Sequence, residues 1–289
     1  MLIKHTVIPE ASSSPPYVEY EQFIIFGDSI TQGSCDQGRG FAFSPALQSG
    51  GITLSLNYIR RFDIINRGFS GYTSQQALAI FPSFFPPVQK AKVRLMIVFF
   101  GANDAVLPGF EQHVPLPTYE ANLRKILTHP LIKEHKETNL LLLTPPPVDE
   151  YQFSAADTDT DMGTDTGTAT PSGTPEPASV AVMRKASQTK KYADACRQVG
   201  KALNVPVADI WTAFMTAAGW VEGQPLPGSR DVPANKKLQA LLSDGLHFNP
   251  AGYQVMYDEV TRAIRTHYPH LTPGNVPIHF PPWQTAPKL

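Results

Sequence analysis

Cysteine is nearly absent from this 289-residue chain: Cys35 and Cys196 are single and far apart, which gives no support for a cysteine-bound metal. Three further signatures are missing: His-Glu-x-x-His, a glycine loop ending in Gly-Lys-Ser/Thr, and Gly-x-Gly-x-x-Gly after a strand. Zinc-protease, phosphate-cradle and dinucleotide chemistries are therefore unsupported, and no metal or cofactor is expected. Gly-x-Ser-x-Gly is also missing, which removes the strained nucleophile elbow of the α/β-hydrolases. No apolar run approaches the roughly 18 residues of a membrane span. With a formal net charge of -1, the chain has no strong field to recruit nucleic acid or membranes. There is no Asn-x-Ser/Thr sequon, and Met1 to Tyr20 lack the apolar segment and small-residue cleavage site of a secretion signal. The expected compartment is the cytoplasm, where both thiols stay reduced. Apolar residues make up 42% of the chain, enough for one sizeable core.

Against these absences stands Phe26-Gly27-Asp28-Ser29-Ile30-Thr31-Gln32-Gly33, directly after the apolar run Phe23-Ile24-Ile25. A serine at a strand end is held by fixed backbone, exposed by the turn, and followed by free N–H groups that can hold an oxyanion. Gly-Asp-Ser is also an ordinary turn or cap, so the reading needs partners. Ser243-Asp244-Gly245-Leu246-His247-Phe248-Asn249-Pro250 supplies them. A serine hydroxyl is a weak nucleophile until a histidine takes its proton, and that histidine needs a carboxylate on its other nitrogen. Spacing of three lets one turn present Asp244 and His247 on the same side. Asn249 reads as an N-cap with Pro250 at the first helical position, opening the amphipathic run Tyr253, Met256, Tyr257, Val260, Ile264.

Two more strand ends complete the pattern. Val93 to Phe100 is an apolar run stopping at Gly101-Ala102-Asn103-Asp104, where the Asn103 amide can donate to an oxyanion. Phe62 to Asn66 leads into Arg67-Gly68-Phe69-Ser70-Gly71-Tyr72-Thr73, whose glycines allow close approach and left-handed dihedrals. Thr73 and Gln76 form a capping box for the next helix. Ser29, Gly71 and Asn103 thus all lie just past the carboxyl ends of strands, where open α/β sheets bind ligands. The remaining histidines, His5, His113, His129, His135, His267, His270 and His279, read as solvated.

These blocks together resemble the GDSL, or SGNH, hydrolase family: Gly27-Asp28-Ser29-Ile30, then Ser70 to Ser74, Gly101-Ala102-Asn103-Asp104 and Asp244-Gly245-Leu246-His247, in the family's order. Within it the chain is most similar to the isoamyl acetate-hydrolysing esterases, through Asn66 to Ser74, Gly101 to Ala105, Val114-Pro115-Leu116-Pro117 and Asp244 to Phe248. The resemblance spans roughly residues 22 to 270. Ile30 replaces the leucine of the family's name motif. The resemblance implies a three-layer α/β/α fold around a mostly parallel five-stranded sheet, flavodoxin-like in arrangement. It also implies Ser29 as nucleophile, His247 as base and then acid, Asp244 as its orienter, and an oxyanion hole of the Ser29 and Gly71 N–H groups with the Asn103 amide. The expected substrate is a small short-chain acyl ester. Thioesterase, lysophospholipase or sugar O-deacetylase activity would use the same machinery, and a catalytically silent binding protein is the reading from another class. Phe69, Tyr72, Leu107 and Phe248 adjoin the catalytic segments and are candidate walls of the acyl pocket.

The chain alternates strand and helix throughout, so a parallel sheet flanked by helices is expected. Thr118 can cap a helix through Leu123 and Leu127, Leu140 to Thr144 gives a fourth strand, a helix is expected from about Val182 to Leu203, and Val205 to Ile210 gives a fifth strand. One hydrolase domain over 21–271 follows an N-terminal extension, 1–20. Inside it, 154–179 is almost wholly Ser, Ala, Thr, Asp, Gly and Pro, and is expected to be a disordered insertion. The proline-rich tail 272–289 carries Ile278, Phe280 and Trp283, which favours docking on the domain or on a second copy in a homodimer.

Overall fold

The computed structural model describes residues 17–49, 58–159 and 183–286. Five parallel strands, β1 (Glu21–Gly27), β2 (Phe62–Gly68), β3 (Val93–Phe99), β4 (Asn139–Leu143) and β5 (Val207–Ala208), form one sheet in the order β2-β1-β3-β4-β5. This is the flavodoxin-like order, and it reverses direction at β1, opening a crevice beyond the carboxyl ends of β1 and β3. The helices are α1 (Ser29–Gly33), α2 (Phe43–Ser49), α3 (Ser74–Phe84), α4 (Leu116–Leu127), α5 (Pro130–Glu134), α6 (Glu150–Asp159), α7 (Ala186–Leu203), α8 (Ile210–Ala217), α9 (Lys236–Gln239) and α10 (Pro250–His267).

The inner strands β1, β3 and β4 carry apolar runs, Phe23 to Phe26, Leu95 to Phe99 and Leu140 to Leu143, because both sheet faces are covered there, whereas the edge strand β2 carries Asp63, Asn66 and Arg67. Successive side chains alternate between the two faces. Phe23, Ile25, Leu95, Ile97 and Phe99 enter a core with Phe43 of α2, Phe214 of α8 and Met256 and Val260 of α10. Ile24, Phe26, Met96 and Val98 enter the opposite core with Phe81 of α3, Leu123 and Ile126 of α4 and Tyr192 and Val199 of α7. Each such fully buried side chain stabilises the fold by about 1.5–3 kcal/mol, so the central strands are the least movable part of the molecule. Loops anchored at their ends inherit that rigidity.

Several boundaries differ from the sequence expectation. α4 starts at Leu116 with Pro115 as its N-cap and Pro117 in the first turn, not at Thr118, because proline has no N–H to leave unpaired there. The helix expected from Val182 begins at Ala186, whose N–H donates to Glu150 Oε1 at 2.9 Å. β5 is two residues long: the Val205 N–H still closes α7 on Gly200 O, while Asp209 turns to cap α8. Of the stretch 154–179, residues 154–159 continue α6 and the rest lies outside the described residues. The tail folds back: Arg61 Nε donates to Pro273 O and Val276 O at 3.0 Å each, and His279 meets Tyr20 edge-on at 4.8 Å.

His267 and His270 are exposed as expected, but three other histidines are held by the fold. His135 is buried, accepting from Val93 N at Nδ1 and donating from Nε2 to Pro86 O. His129 caps α5 by accepting from Leu131 N, and His113 Nδ1 donates to Val106 O. His5 lies outside the described residues. A buried polar ring such as that of His135 is retained when the backbone satisfies both nitrogens. Among the described residues, Cys35 is exposed, Cys196 is buried and both are free.

Candidate active site

The β1 chain reverses into α1 at once, with Asp28 as the N-cap accepting from Ile30 N at 2.9 Å. Ser29 therefore occupies the first helical position, half-buried, with its hydroxyl facing the crevice. Its Oγ lies 2.9 Å from His247 Nε2, although 218 residues separate them. His247 Nδ1 lies 2.6 Å from Asp244 Oδ2. Asp244 Oδ1 meanwhile accepts from the backbone N–H groups of Leu246 and His247 at 2.9 and 2.8 Å, so one carboxylate shapes the turn and grips the ring together.

That turn is fastened on both sides. Ser243 N donates to His247 O at 2.9 Å, Phe248 is buried in the core, and Asn249 Oδ1 caps α10 by accepting from Ala251 N and Gly252 N. Burial works to raise the Asp244 carboxyl, but the hydrogen bonds and charge of His247 and the Leu246 N–H outweigh it and bring the group down to about 2. It is ionised at neutral pH. A hydroxyl on one imidazole nitrogen and an ionised carboxylate on the other is an arrangement able to remove the hydroxyl proton and stabilise the imidazolium that results.

The neighbouring strand ends converge on the same crevice. Phe69 N donates to Gly27 O at 2.8 Å and Ser70 N to Gln32 Oε1 at 2.9 Å, tying the turn after β2 to β1 and α1. Gly71 has φ +79°, the left-handed conformation that favours glycine. Asn103 follows β3, is 3% exposed, and donates from Nδ2 to Tyr72 O at 3.0 Å. Its neighbour Asp104 is fully buried, accepting from Ser74 N and Ser74 Oγ at the start of α3. Desolvation pushes Asp28 up to about 7 and Asp104 up to about 6 against their hydrogen bonds.

A cleft of about 370 Å³ opens beside Ser29 and His247, with Gln32, Phe41, Ser70 and Phe248 among its walls. Of the four candidate wall residues only Phe248 lies there. Phe69 and Tyr72 stack on each other at 5.2 Å, and Phe69 meets Phe26 and Phe84 on the α3 side of the sheet. Leu107 joins the segment before α7 through its N–H to Met183 O. Adjacency in a turn sets distance along the chain, whereas the face a side chain takes is set by what it packs against. Gln32, Phe41 and Ser70 escaped sequence reasoning, although Gln32 is one helical turn from Ser29. Arg184 escaped it too: it is 6% exposed, and its guanidinium donates to Ala102 O and, at 3.1 Å, to Asn103 Oδ1. A single arginine after a low-complexity stretch carries no local signal. Among the described residues, no helix is long and apolar enough to cross a membrane.

The profile of the GDSL-like lipase/acylhydrolase family matches residues 25–255. An Arabidopsis thaliana GDSL esterase/lipase is 31% identical over 265 residues, covering 90% of this chain and 91% of that protein. The isoamyl acetate-hydrolyzing esterase of Saccharomyces cerevisiae is 29% identical over 274 residues, covering 92% and 95% respectively. Among solved structures, a lipase/acylhydrolase from Enterococcus faecalis superposes with a TM-score of 0.55 at 22% identity, covering 89% of this chain and 98% of its own.

Proposed function

Because the chain belongs to the GDSL-like lipase/acylhydrolase family and is a serine esterase, we propose that it cleaves small short-chain acyl esters through an acyl-enzyme on Ser29. The observation carrying this reading is the unbroken relay from Ser29 Oγ through His247 to Asp244 Oδ2, at 2.9 and 2.6 Å. Ser29 Oγ attacks the ester carbonyl as its proton passes to His247 Nε2, and the carbonyl oxygen becomes an oxyanion. The tetrahedral intermediate then expels the alcohol, which takes that proton. A water next loses a proton to His247 and attacks the acyl-enzyme. The acid leaves and Ser29 recovers its hydrogen.

The Ser29 and Gly71 N–H groups and the Asn103 amide receive the oxyanion in this reading. An amide nitrogen carries two hydrogens; with one on Tyr72 O, Asn103 keeps the other for substrate. The yeast relative's name points to an acetate ester, and the volume of the cleft, about 370 Å³, stands at the small end of ligand pockets. The polar walls Gln32 and Ser70 also favour a second reading, removal of an acetyl group from a hydroxylated alcohol. Turnover of acetyl, hexanoyl and palmitoyl esters of one chromogenic alcohol, and of acetate esters of isoamyl alcohol and of a sugar, tests both. Acetyl esters should lead by orders of magnitude, since each methylene that the small cleft does not accommodate discriminates by about 1–3 kcal/mol. A preference for palmitoyl esters would overturn the short-chain reading, and a preference for the acetylated sugar would select the second.

A further inference from the structure

Resting on the reading of Asn103 as an oxyanion donor, we propose that Arg184 is a positioning residue that orients and strengthens that donor. Burying a guanidinium is costly unless its donors are matched. Arg184 is nonetheless 6% exposed, and its planar fork spans two consecutive residues of the loop after β3, Ala102 through its carbonyl and Asn103 through Oδ1. Its guanidinium carbon lies 5.2 Å from the centre of the Phe153 ring, which backs the group from the other side. The main chain around it is anchored as well, by Leu107 N on Met183 O and by Ala186 N on Glu150 Oε1.

Two consequences follow for the Asn103 amide. An asparagine amide can turn end for end, exchanging acceptor for donor at nearly equal shape. A guanidinium only donates, so the atom facing Arg184 must be oxygen, which sends the NH2 group toward Tyr72 O. A positive charge at the oxygen end also draws electron density along the amide and makes its N–H a stronger donor, because hydrogen bonds in a chain polarise one another in a low-dielectric interior. The stronger donor matters most when negative charge has formed on the substrate, so Arg184 bears on turnover more than on ground-state affinity.

The test is a double-mutant cycle on acetate-ester hydrolysis with wild type, R184M, N103A and R184M/N103A, recording kcat, KM and melting temperature. Methionine keeps an apolar stem over Phe153 and removes every donor. Losing one oxyanion donor outright lowers turnover about 10²–10³-fold, so misaligning and weakening it should lower kcat about 10–100-fold with KM nearly unchanged. In the N103A background the same change should cost less than about threefold, because residues acting through one group are not additive. R184K, which keeps the charge without the fork, should recover part of kcat, and its own loss should also vanish in N103A. That second cycle carries the test if R184M does not fold. Full multiplicative losses, or an R184M enzyme with wild-type kcat, would overturn the inference while leaving Asn103 as donor. Wild-type kcat in N103A would instead overturn the reading of Asn103 itself, and the role of Arg184 with it.

Discussion

Replacing Asp244 by asparagine separates the chemistry of this site from its architecture. Asp244 does two jobs with two oxygens: Oδ1 accepts from Leu246 N and His247 N, and Oδ2 accepts from His247 Nδ1. An asparagine keeps an oxygen for the two backbone donors and offers an NH2 group to the ring. Nδ1 must then carry the lone pair, so the proton moves to Nε2 and points at Ser29 Oγ, where a base is required. In chymotrypsin-type proteases the corresponding change lowers kcat about 10⁴-fold, or about 5.5 kcal/mol of barrier, and the same tautomer reversal sets the expectation here. Stability should fall little. The lowered Asp244 carboxyl, about 2 against 3.8, supplies stability that is present above pH 4 and lost as the pH falls toward 2. With the side chain 35% exposed, screening leaves that at about 1 kcal/mol, equivalent to a melting-temperature loss of about 2–4 °C. Steady-state hydrolysis of a chromogenic acetate beside a thermal melt makes the measurement. A folded D244N variant with more than about a tenth of wild-type turnover would refute the tautomer argument.

Three further outcomes are expected. S29A should melt within about 2 °C of wild type and lose covalent labelling by a fluorophosphonate, since a half-buried turn hydroxyl leaves no cavity; labelling at the wild-type rate would place the nucleophile elsewhere. G245A should lose about 3 kcal/mol or more, because Gly245 has φ +86° and an added Cβ would come within 2.4 Å of Phe153 N and 2.5 Å of Asp149 O, backbone atoms that cannot swing away. A melting temperature within 2 °C of wild type would contradict that, as it should fall by about 6–12 °C. For Asp28, raised by burial from 3.8 to about 7, the folded state holds its proton more tightly than the unfolded chain, so its stabilising share is full below pH 4 and is lost as the pH rises through 7. D28N keeps an acceptor for Ile30 N and cannot ionise, so the stability of the variant, followed by denaturant titration between pH 4 and 8, should lack a decline of about 4 kcal/mol present in wild type; parallel profiles would show that folding does not raise the Asp28 carboxyl.

The amino-acid sequence by itself carried the local geometry. Apolar runs ending in Gly27-Asp28-Ser29, Asn66-Arg67-Gly68 and Gly101-Ala102-Asn103 marked three strand ends, Asn249-Pro250 marked the start of α10, and the Asp244–His247 spacing placed two side chains on one turn, because each depends on backbone preferences within a few residues. Even the resemblance to a hydrolase family was legible in four short blocks. Tertiary structure decided what no local window contains. It decided that Ser29 meets His247 across 218 residues, that Phe69 and Tyr72 turn toward the α3 side while Phe248 alone of the four candidates borders the cleft, and that His135 is a buried backbone partner. It cut β5 to two residues because Asp209 is drawn into capping α8. It also brought Arg184 to the carbonyl end of Asn103. Backbone propensity acts between neighbours along the chain, whereas burial and hydrogen-bond matching act between whatever the parallel crossovers bring together, and only the folded sheet specifies which residues those are.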